Sequence, residues 1–221
     1  MIEKNTVEKL REYREIIGRV LDAFRGVSFP IIVEVATNTK VEPFDLKDEK
    51  DAKLVQELSM LADIIIRRFY EKPIQIKRIN EVSNFLEKEL PKIFTENIGQ
   101  FKVIKTIKHL GGVGYPDEEV LDIYGRATYI EVKGTTRPET GSARDFYFTP
   151  GAESKKKIRV DARHALSSFI IKGSPNAFKT IGWKLVDLSK IVVGMKPEFN
   201  ADNTELYRKE TIIAERYISE I

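Results

Sequence analysis

The sequence predicts a mixed α/β domain of the α+β kind, because helical and strand-like patterns occupy separate parts of the chain. Apolar side chains recur every three or four positions through most of residues 1–100, as in amphipathic helices. β-prone runs then dominate residues 101–200, and the helical period returns in residues 201–221. Such an order favours a central sheet flanked by helices. We therefore expect a single domain over residues 1–221, with a mainly helical N-terminal part.

The apolar period defines the individual helices. It predicts helices over 5–25 and 48–70, a third over 79–95 in which Pro91 causes a kink or a break, and a fourth over 203–219. Residues 31–35, Ile-Ile-Val-Glu-Val, form a short β-rich run after Pro30.

The sheet is predicted from runs rich in β-branched and aromatic residues. These runs are 101–107, 119–124, 127–133, 146–148, 164–171 and 178–187. Gly111, Gly112 and Gly114 precede the second run and indicate a turn, since no Gly-Lys-Ser/Thr follows them to make a phosphate loop.

Composition excludes several classes of protein. The 221 residues include no cysteine and two histidines, which excludes disulfides, thiolate zinc sites and thiol nucleophiles. The N-terminus does not resemble a signal peptide, and no apolar run approaches the length of a membrane span. We expect a cytoplasmic protein without an organic cofactor. Charged residues make up 32% of the chain, which is typical of proteins from hot environments.

The charge is distributed unevenly along the chain. The whole chain has a net charge of +3, but residues 133–196 carry 13 Lys and Arg against 5 Asp and Glu, a net of +8. A basic block of this kind suits a polyanionic partner. Within it, five basic residues fall close together and are our candidate contacts to DNA phosphates and bases: Lys155, Lys156, Lys157, Arg159 and Arg163.

The chemistry is expected in a hairpin that turns at Gly125-Arg126. Glu131 and Lys133 stand two residues apart on one strand, so their side chains share a face. If Gly125-Arg126 is a two-residue turn, Asp122 pairs with Tyr129 and lies on that same face. A one-residue bulge would bring Asp117 to the face instead, so both aspartates are candidates.

Two carboxylates and a lysine on one strand face suit metal-assisted phosphodiester hydrolysis. Mg²⁺ binds one or two carboxylates together with waters and a substrate phosphate. A neighbouring lysine can hydrogen-bond the attacking water or the scissile phosphate. We therefore expect Asp122, Glu131 and Lys133 to be catalytic, with Glu131 and either Asp122 or Asp117 as the metal ligands. An exposed Glu–Lys pair on an edge strand is the plainer interpretation of the same residues.

The segment resembles the motif of a known nuclease superfamily. Pro116-Asp117, Asp122 and Glu131-Val132-Lys133 resemble the PD-(D/E)XK motif, which is found in most type II restriction endonucleases, in Holliday-junction resolvases and in DNA-repair nucleases. The resemblance implies a restriction-endonuclease-like mixed central β-sheet flanked by helices, dependence on Mg²⁺ and a double-stranded DNA substrate. The doubled choice between Asp117 and Asp122 leaves the metal ligand open.

Chain length and the basic block favour a type II restriction endonuclease among these classes. Double-strand cleavage at two-fold sites favours a homodimer, in which each protomer cuts one strand. A structure-specific or repair nuclease with the same chemistry and a non-catalytic DNA-binding module on the same fold are the alternatives. Digestion of plasmid DNA separates the three, since it gives discrete bands, junction cleavage or no product.

Overall fold

The computed structural model describes residues 4–23, 26–136, 146–194 and 208, and the chain divides into two compact units. One unit comprises residues 1–26 and 194–221, and the other comprises residues 27–193. The first unit contains α1 (Lys4–Ala23), which agrees with the predicted first helix. The helix predicted over 203–219 lies outside the described residues, of which only Arg208 falls in that range.

Apart from residues 146–148, which form no strand, the predicted helices and strands of the second unit occur in the structure with one exception. The helices are α2 (Phe29–Thr37), α3 (Glu49–Glu71), α4 (Val82–Glu96) and α5 (Ala152–Lys157). The strands are β1 (Val27–Ser28), β2 (Val41–Glu42), β3 (Ile104–His109), β4 (Glu118–Asp122), β5 (Ala127–Thr135), β6 (Ala162–Lys172), β7 (Lys179–Asp187) and β8 (Val192–Val193). Single 3₁₀ turns occupy Ile79–Glu81, Ile98–Gln100 and Leu188–Lys190.

The exception is α2, where the β-rich run Ile-Ile-Val-Glu-Val is helical. Pro30 lies in the first turn, where its missing N–H costs nothing. Phe29, Val33 and Ala36 are buried at helical spacing, while Glu34 is exposed. Packing of that apolar face outweighs the β preference of the branched residues.

α3 begins at a capping residue, and α4 continues through its internal proline. Asp48 caps α3, since its side chain accepts hydrogen bonds from the N–H groups of Lys50 and Asp51 at 2.7 and 3.2 Å. α4 continues through Pro91 to Glu96 instead of breaking there. The hydroxyl of Thr95 donates to the carbonyl of Pro91 at 2.8 Å.

The main sheet is mixed and has the strand order β2-β6-β5-β4-β3, with β7 also paired to β6. β5 and β6 run parallel, as do β2 and β6, whereas the other pairs are antiparallel. β1 and β8 form a separate two-stranded ribbon. This mixed sheet with helices on both faces confirms the predicted fold class.

Two apolar clusters cover the two faces of the sheet. α3 and α4 pack on one face, where Ile130 and Val132 of β5 join Leu58, Leu86 and other aliphatic residues in the larger cluster. On the other face Tyr129 of β5 packs with Phe29 of α2 and Ile158 beyond α5. Residues of β5 at odd positions, including Glu131 and Lys133, therefore belong to the α2–α5 face. No helix of the described residues is long and apolar enough to span a membrane.

Candidate active site

The β4–β5 hairpin has a register that differs from the predicted one by three residues. Leu121 pairs with Ala127, Glu119 with Tyr129 and Glu118 with Ile130. The prediction of a two-residue turn at Gly125-Arg126 was therefore wrong. Neighbouring residues of a strand point to opposite faces, so a shift of three residues exchanges the two faces of β4 relative to β5. The residues of β4 that share a face with Glu131 are therefore those that a two-residue turn would place on the opposite face.

Asp122 explains why the turn is longer. Its Oδ1 accepts the N–H groups of Tyr124 and Arg126, both at 2.9 Å, so the side chain closes the turn itself. Its Oδ2 accepts from Nε of Arg126 at 2.7 Å, and Arg126 also donates to buried Asp51 at 2.7 Å. Both oxygens of Asp122 thus stabilise the turn.

The corrected register separates Asp122 from Glu131. Opposite Asp122 stands Arg126, five residues before Glu131, which is about 17 Å along a strand at about 3.3 Å per residue. The structure therefore does not bring Asp122 together with Glu131 and Lys133, although the sequence predicted that it would.

Asp117 takes the place that Asp122 was expected to fill. It directly precedes β4, and its N–H donates to the carbonyl of Ile130 at 3.1 Å. Its Oδ2 accepts the N–H of Val132 at 2.8 Å, and its carboxyl group lies close enough to that of Glu131 for the two to interact electrostatically. The alternative that the sequence left open is the one whose carboxylate meets Glu131.

Burial gives this carboxylate pair unusual electrostatics. Burial, and after it the charge of Asp117, raises the pKa of Glu131 to about 8. Burial also raises the pKa of Asp117, against the lowering effects of the Val132 N–H and of Glu131. One proton shared between the carboxyl groups, or a bound cation, relieves the repulsion between them.

The pair fits a hard divalent cation. Oε2 of Glu131 is buried and has no hydrogen-bond partner among the described residues. Over residues 4–23, 26–136 and 146–194, no group of three or more His, Asp or Glu side chains has a metal-binding arrangement. Mg²⁺ needs only one or two carboxylates, because waters and substrate phosphate complete its shell. Asp117 and Glu131 meet that requirement.

Lys133 completes the predicted group on the same strand. Its Nζ lies 3.3 Å from Oε1 of Glu131, and the side chain is 21% exposed. Tyr147 stands next to it, with the ring centre 6.0 Å from Nζ of Lys133. Residues 146–148 form no strand, contrary to prediction. Phe146 and Phe148 pack edge-on against Phe29, and Tyr147 between them is 50% exposed.

Two further carboxyl groups near Asp117 were missed by the sequence analysis. Glu87 of α4 is partly buried, and burial followed by the charge of Asp117 raises its pKa to about 7. Glu118 is fully buried, and its carboxyl group forms a hydrogen bond of 3.0 Å with Nδ1 of His109. Burial raises the pKa of Glu118 to about 9. Glu118 follows Asp117 directly in the sequence, but nothing in the helical pattern marked Glu87.

The basic residues predicted to bind DNA lie in three different environments. Lys155 and Lys156 are exposed on α5, and Arg159 beyond it has a 56% exposed side chain. Arg163 is 12% exposed and is ion-paired with Glu42 and Asp51 at 3.0 and 2.8 Å.

The structure contradicts the predicted contact of Lys157 with a DNA phosphate. The residue is only 6% exposed, and its Nζ donates to the carbonyls of Gly112, Gly114 and Pro116. Since all three donors are engaged inside the protein, none is directed at solvent.

His164 has a structural role in the core. It is fully buried on β6, and its Nδ1 hydrogen-bonds the hydroxyl of Tyr115 at 2.6 Å. Burial lowers its pKa to about 3, so it is neutral at physiological pH.

Comparison with known proteins places the chain in a family. Residues 23–210 match the model of the type II restriction enzyme MjaV family. The type II restriction enzyme MjaV of Methanocaldococcus jannaschii is 32% identical over 220 residues, which cover 93% of this chain and 95% of that protein. No solved structure matches the chain. The agreement extends over both the hairpin and the basic block, so the chain belongs to the MjaV family of type II restriction enzymes, which are site-specific deoxyribonucleases.

Proposed function

We propose that this restriction endonuclease hydrolyses phosphodiester bonds of double-stranded DNA at a short specific site and depends on Mg²⁺. The observation that carries the proposal is the placement of Asp117 beside Glu131 by its hydrogen bonds to Ile130 and Val132, with Lys133 3.3 Å from Glu131. Surface carboxylates repel one another and separate, whereas this pair is held together by strand pairing in a desolvated place.

The three residues have separate roles in the proposal. Asp117 and Glu131 hold the cation, and the Val132 N–H fixes the orientation of Asp117. When bound, Mg²⁺ supplies charge stabilisation at the phosphate and lowers the pKa of a water ligand. Nζ of Lys133 donates a hydrogen bond to the attacking water or to a phosphate oxygen. Glu87 of α4 adds a third carboxyl group near Asp117.

DNA binding is proposed to use the exposed part of the basic block. Lys155 and Lys156 on α5 and Arg159 after it are accessible to phosphates. Arg163 is held by Asp51 and Glu42, so we propose that it contacts DNA only if it leaves Glu42. We further propose that the whole chain works as one nuclease domain in a cytoplasmic homodimer, because two-fold sites require two active centres.

Digestion of plasmid DNA tests the proposal. We expect discrete bands in the presence of Mg²⁺ and no product in the presence of a chelator. Glu131→Gln and Lys133→Met, which keep the side-chain volume, should both abolish the bands while far-ultraviolet circular dichroism stays unchanged. Undiminished cleavage in the chelator, or in either variant, would overturn the proposed site.

A further inference from the structure

Lys157 ends α5 beside two exposed lysines, yet its ammonium group is buried against the loop that precedes the active site. Its Nζ donates to the carbonyls of Gly112, at 3.5 Å, of Gly114 and of Pro116, at 3.0 Å. An ammonium group has three N–H donors, so these three acceptors satisfy it completely. Burying a lysine without such partners would be strongly unfavourable.

The glycine part of the loop has few other contacts, whereas Tyr115 and Pro116, which follow it, are buried. Gly112 and Gly114 have φ values of +93° and +86°, which direct alternate carbonyls inward and favour glycine. No heavy atom lies within 4 Å of the position that a Cβ would take at Gly111, Gly112 or Gly114. Around these glycines, the loop is therefore open to solvent and is fixed by the Lys157 ammonium rather than by packing.

The third acceptor leads directly to the active site. Pro116 is bonded to Asp117, whose N–H and carbonyl are held by Ile130 and Leu110 at 3.1 and 2.7 Å. Those two contacts attach Asp117 to the sheet on either side, and the Lys157 contact fixes the chain that enters it. Together they limit the positions that the Asp117 carboxylate can take relative to Glu131.

We propose that Lys157 is a positioning residue: by binding the carbonyls of Gly112, Gly114 and Pro116, it holds Asp117 in the place where Asp117 and Glu131 together bind the divalent cation. The inference rests on the proposed function, since it requires that these two carboxylates are the ligands. It assigns to Lys157 a role different from the phosphate contacts proposed for Lys155 and Lys156.

Two other roles for Lys157 predict a different effect on metal affinity from the positioning role. If only its charge mattered, removing a positive charge near the carboxylates would strengthen cation binding wherever both carboxyl groups are ionised, by Coulomb's law. If Lys157 only stabilised the fold at a distance, metal affinity would not change in the folded protein. Of the three roles, only positioning predicts that loss of Lys157 weakens cation binding, because a mobile Asp117 carboxylate spends less time beside Glu131.

The test is the affinity of the DNA-free protein for Mn²⁺, measured by isothermal titration calorimetry at several pH values, so that loss of protons from the two carboxyl groups is separated from the affinity of the ionised site. Lys157→Met keeps the length of the side chain and removes the three donors. We expect it to weaken Mn²⁺ binding by about 10- to 100-fold, the range found when groups that orient metal ligands are removed. Lys156→Met, on the same helix, should leave Mn²⁺ affinity unchanged. A folded Lys157→Met protein with wild-type or tighter affinity would overturn the proposal.

A second pair of variants covers the case in which Lys157→Met does not fold. Gly114→Ala leaves the lysine intact but disfavours the positive φ that directs the Gly114 carbonyl to it. Gly111→Ala adds the same methyl group to an open position of the same loop without a positive φ. We expect weaker Mn²⁺ binding in the first variant only, and equal affinities in the two variants would contradict the role of the loop.

Asp117→Asn distinguishes failure of this inference from failure of the proposed function. If Asp117→Asn binds Mn²⁺ as the wild type does, the proposed ligands are wrong. If Asp117→Asn loses binding while Lys157→Met or Gly114→Ala is folded and retains it, only the positioning role is wrong.

Discussion

Asp117 and Glu131 differ from the exposed acidic residues of the chain because they lie together, largely shielded from solvent. Exposed pairs such as Lys53–Glu49 and Lys92–Glu89 are ordinary surface contacts, which contribute little to stability. Glu131 is only 8% exposed and meets Asp117 in a desolvated contact. Strand pairing keeps the two carboxyl groups together at a cost in stability, as is common where a site is built for a ligand.

His164 gives a prediction about stability and pH. Its pKa is about 3 in the folded protein and 6.5 as the ordinary value, so between these the unfolded state binds a proton that the folded state does not. Stability should therefore fall as the pH decreases below about 6.5, with a contribution of up to about 1.4 kcal/mol per pH unit.

Urea unfolding of the wild type and of His164→Gln between pH 4 and 7 measures this contribution. The variant should lack it, so the difference in unfolding free energy between the two proteins should narrow as the pH falls. A constant difference across this range would show that His164 takes up a proton in the folded state.

At the scale of elements, one carboxylate of α3 binds the backbone that enters the edge strand β3. Glu57 of α3 accepts the backbone N–H groups of Lys102, Val103 and Ile104 at 2.6 to 2.9 Å. These N–H groups belong to the segment that enters β3, which pairs with β4 beside the active site. Glu57 thus fixes where the sheet begins relative to the helix.

We expect Glu57→Gln to destabilise the protein by about 2–3 kcal/mol, because an amide NH₂ would face N–H donors that then lack an acceptor. The measurement is the free energy of unfolding in guanidinium chloride. Glu49→Gln, at the exposed start of the same helix, should leave stability unchanged within error. Equal stability of the wild type and Glu57→Gln would show that water replaces the carboxylate at no cost.

Elements with a long apolar period could be predicted from the sequence, whereas elements that depend on tertiary packing or on a side chain in a turn could not. α3 has a long apolar period and an aspartate cap, and its predicted bounds agree with the structure to one residue. α2 was predicted wrongly, because branched residues favour strands unless packing overrides them.

The turn shows the same limitation for the site. The shared face of Glu131 and Lys133 could be predicted, because it follows from the alternation of side chains along a single strand. The choice between Asp117 and Asp122 depended on the register, which Asp122 itself sets by closing the turn. No pattern of apolar residues reports such a contact.

At the scale of the whole molecule, the basic block and the carboxylates are connected through α5. The exposed Lys155 and Lys156 belong to the same short helix as Lys157, which contacts the loop before Asp117. The proposed DNA contacts and the proposed cation site are thus linked through this helix.

Replacing Lys155 and Lys156 by alanine should weaken binding to all DNA sequences about equally. The dependence of log affinity on log salt should decrease by roughly 0.9 for each lysine that no longer neutralises a phosphate. Fluorescence anisotropy in Ca²⁺, which is chosen to prevent cleavage, measures both quantities. The matched control is Lys190→Ala, an exposed lysine paired with Asp187. Identical salt dependence in the double variant and the wild type would place the DNA surface elsewhere.

Asp117, rather than Asp122, joins Glu131 in the proposed catalytic site, and two matched variants separate these aspartates. Asp117→Asn and Asp122→Asn make the same chemical change at the two ends of the same strand. The measurement is the single-turnover rate of DNA cleavage at saturating Mg²⁺ and saturating protein, at a temperature where both variants are folded. We predict that Asp117→Asn reduces the rate by at least about 100-fold, as expected when a group that orients a metal or a reacting water is removed, while Asp122→Asn reduces stability but retains cleavage. An inactive Asp122→Asn beside an active Asp117→Asn would contradict the account.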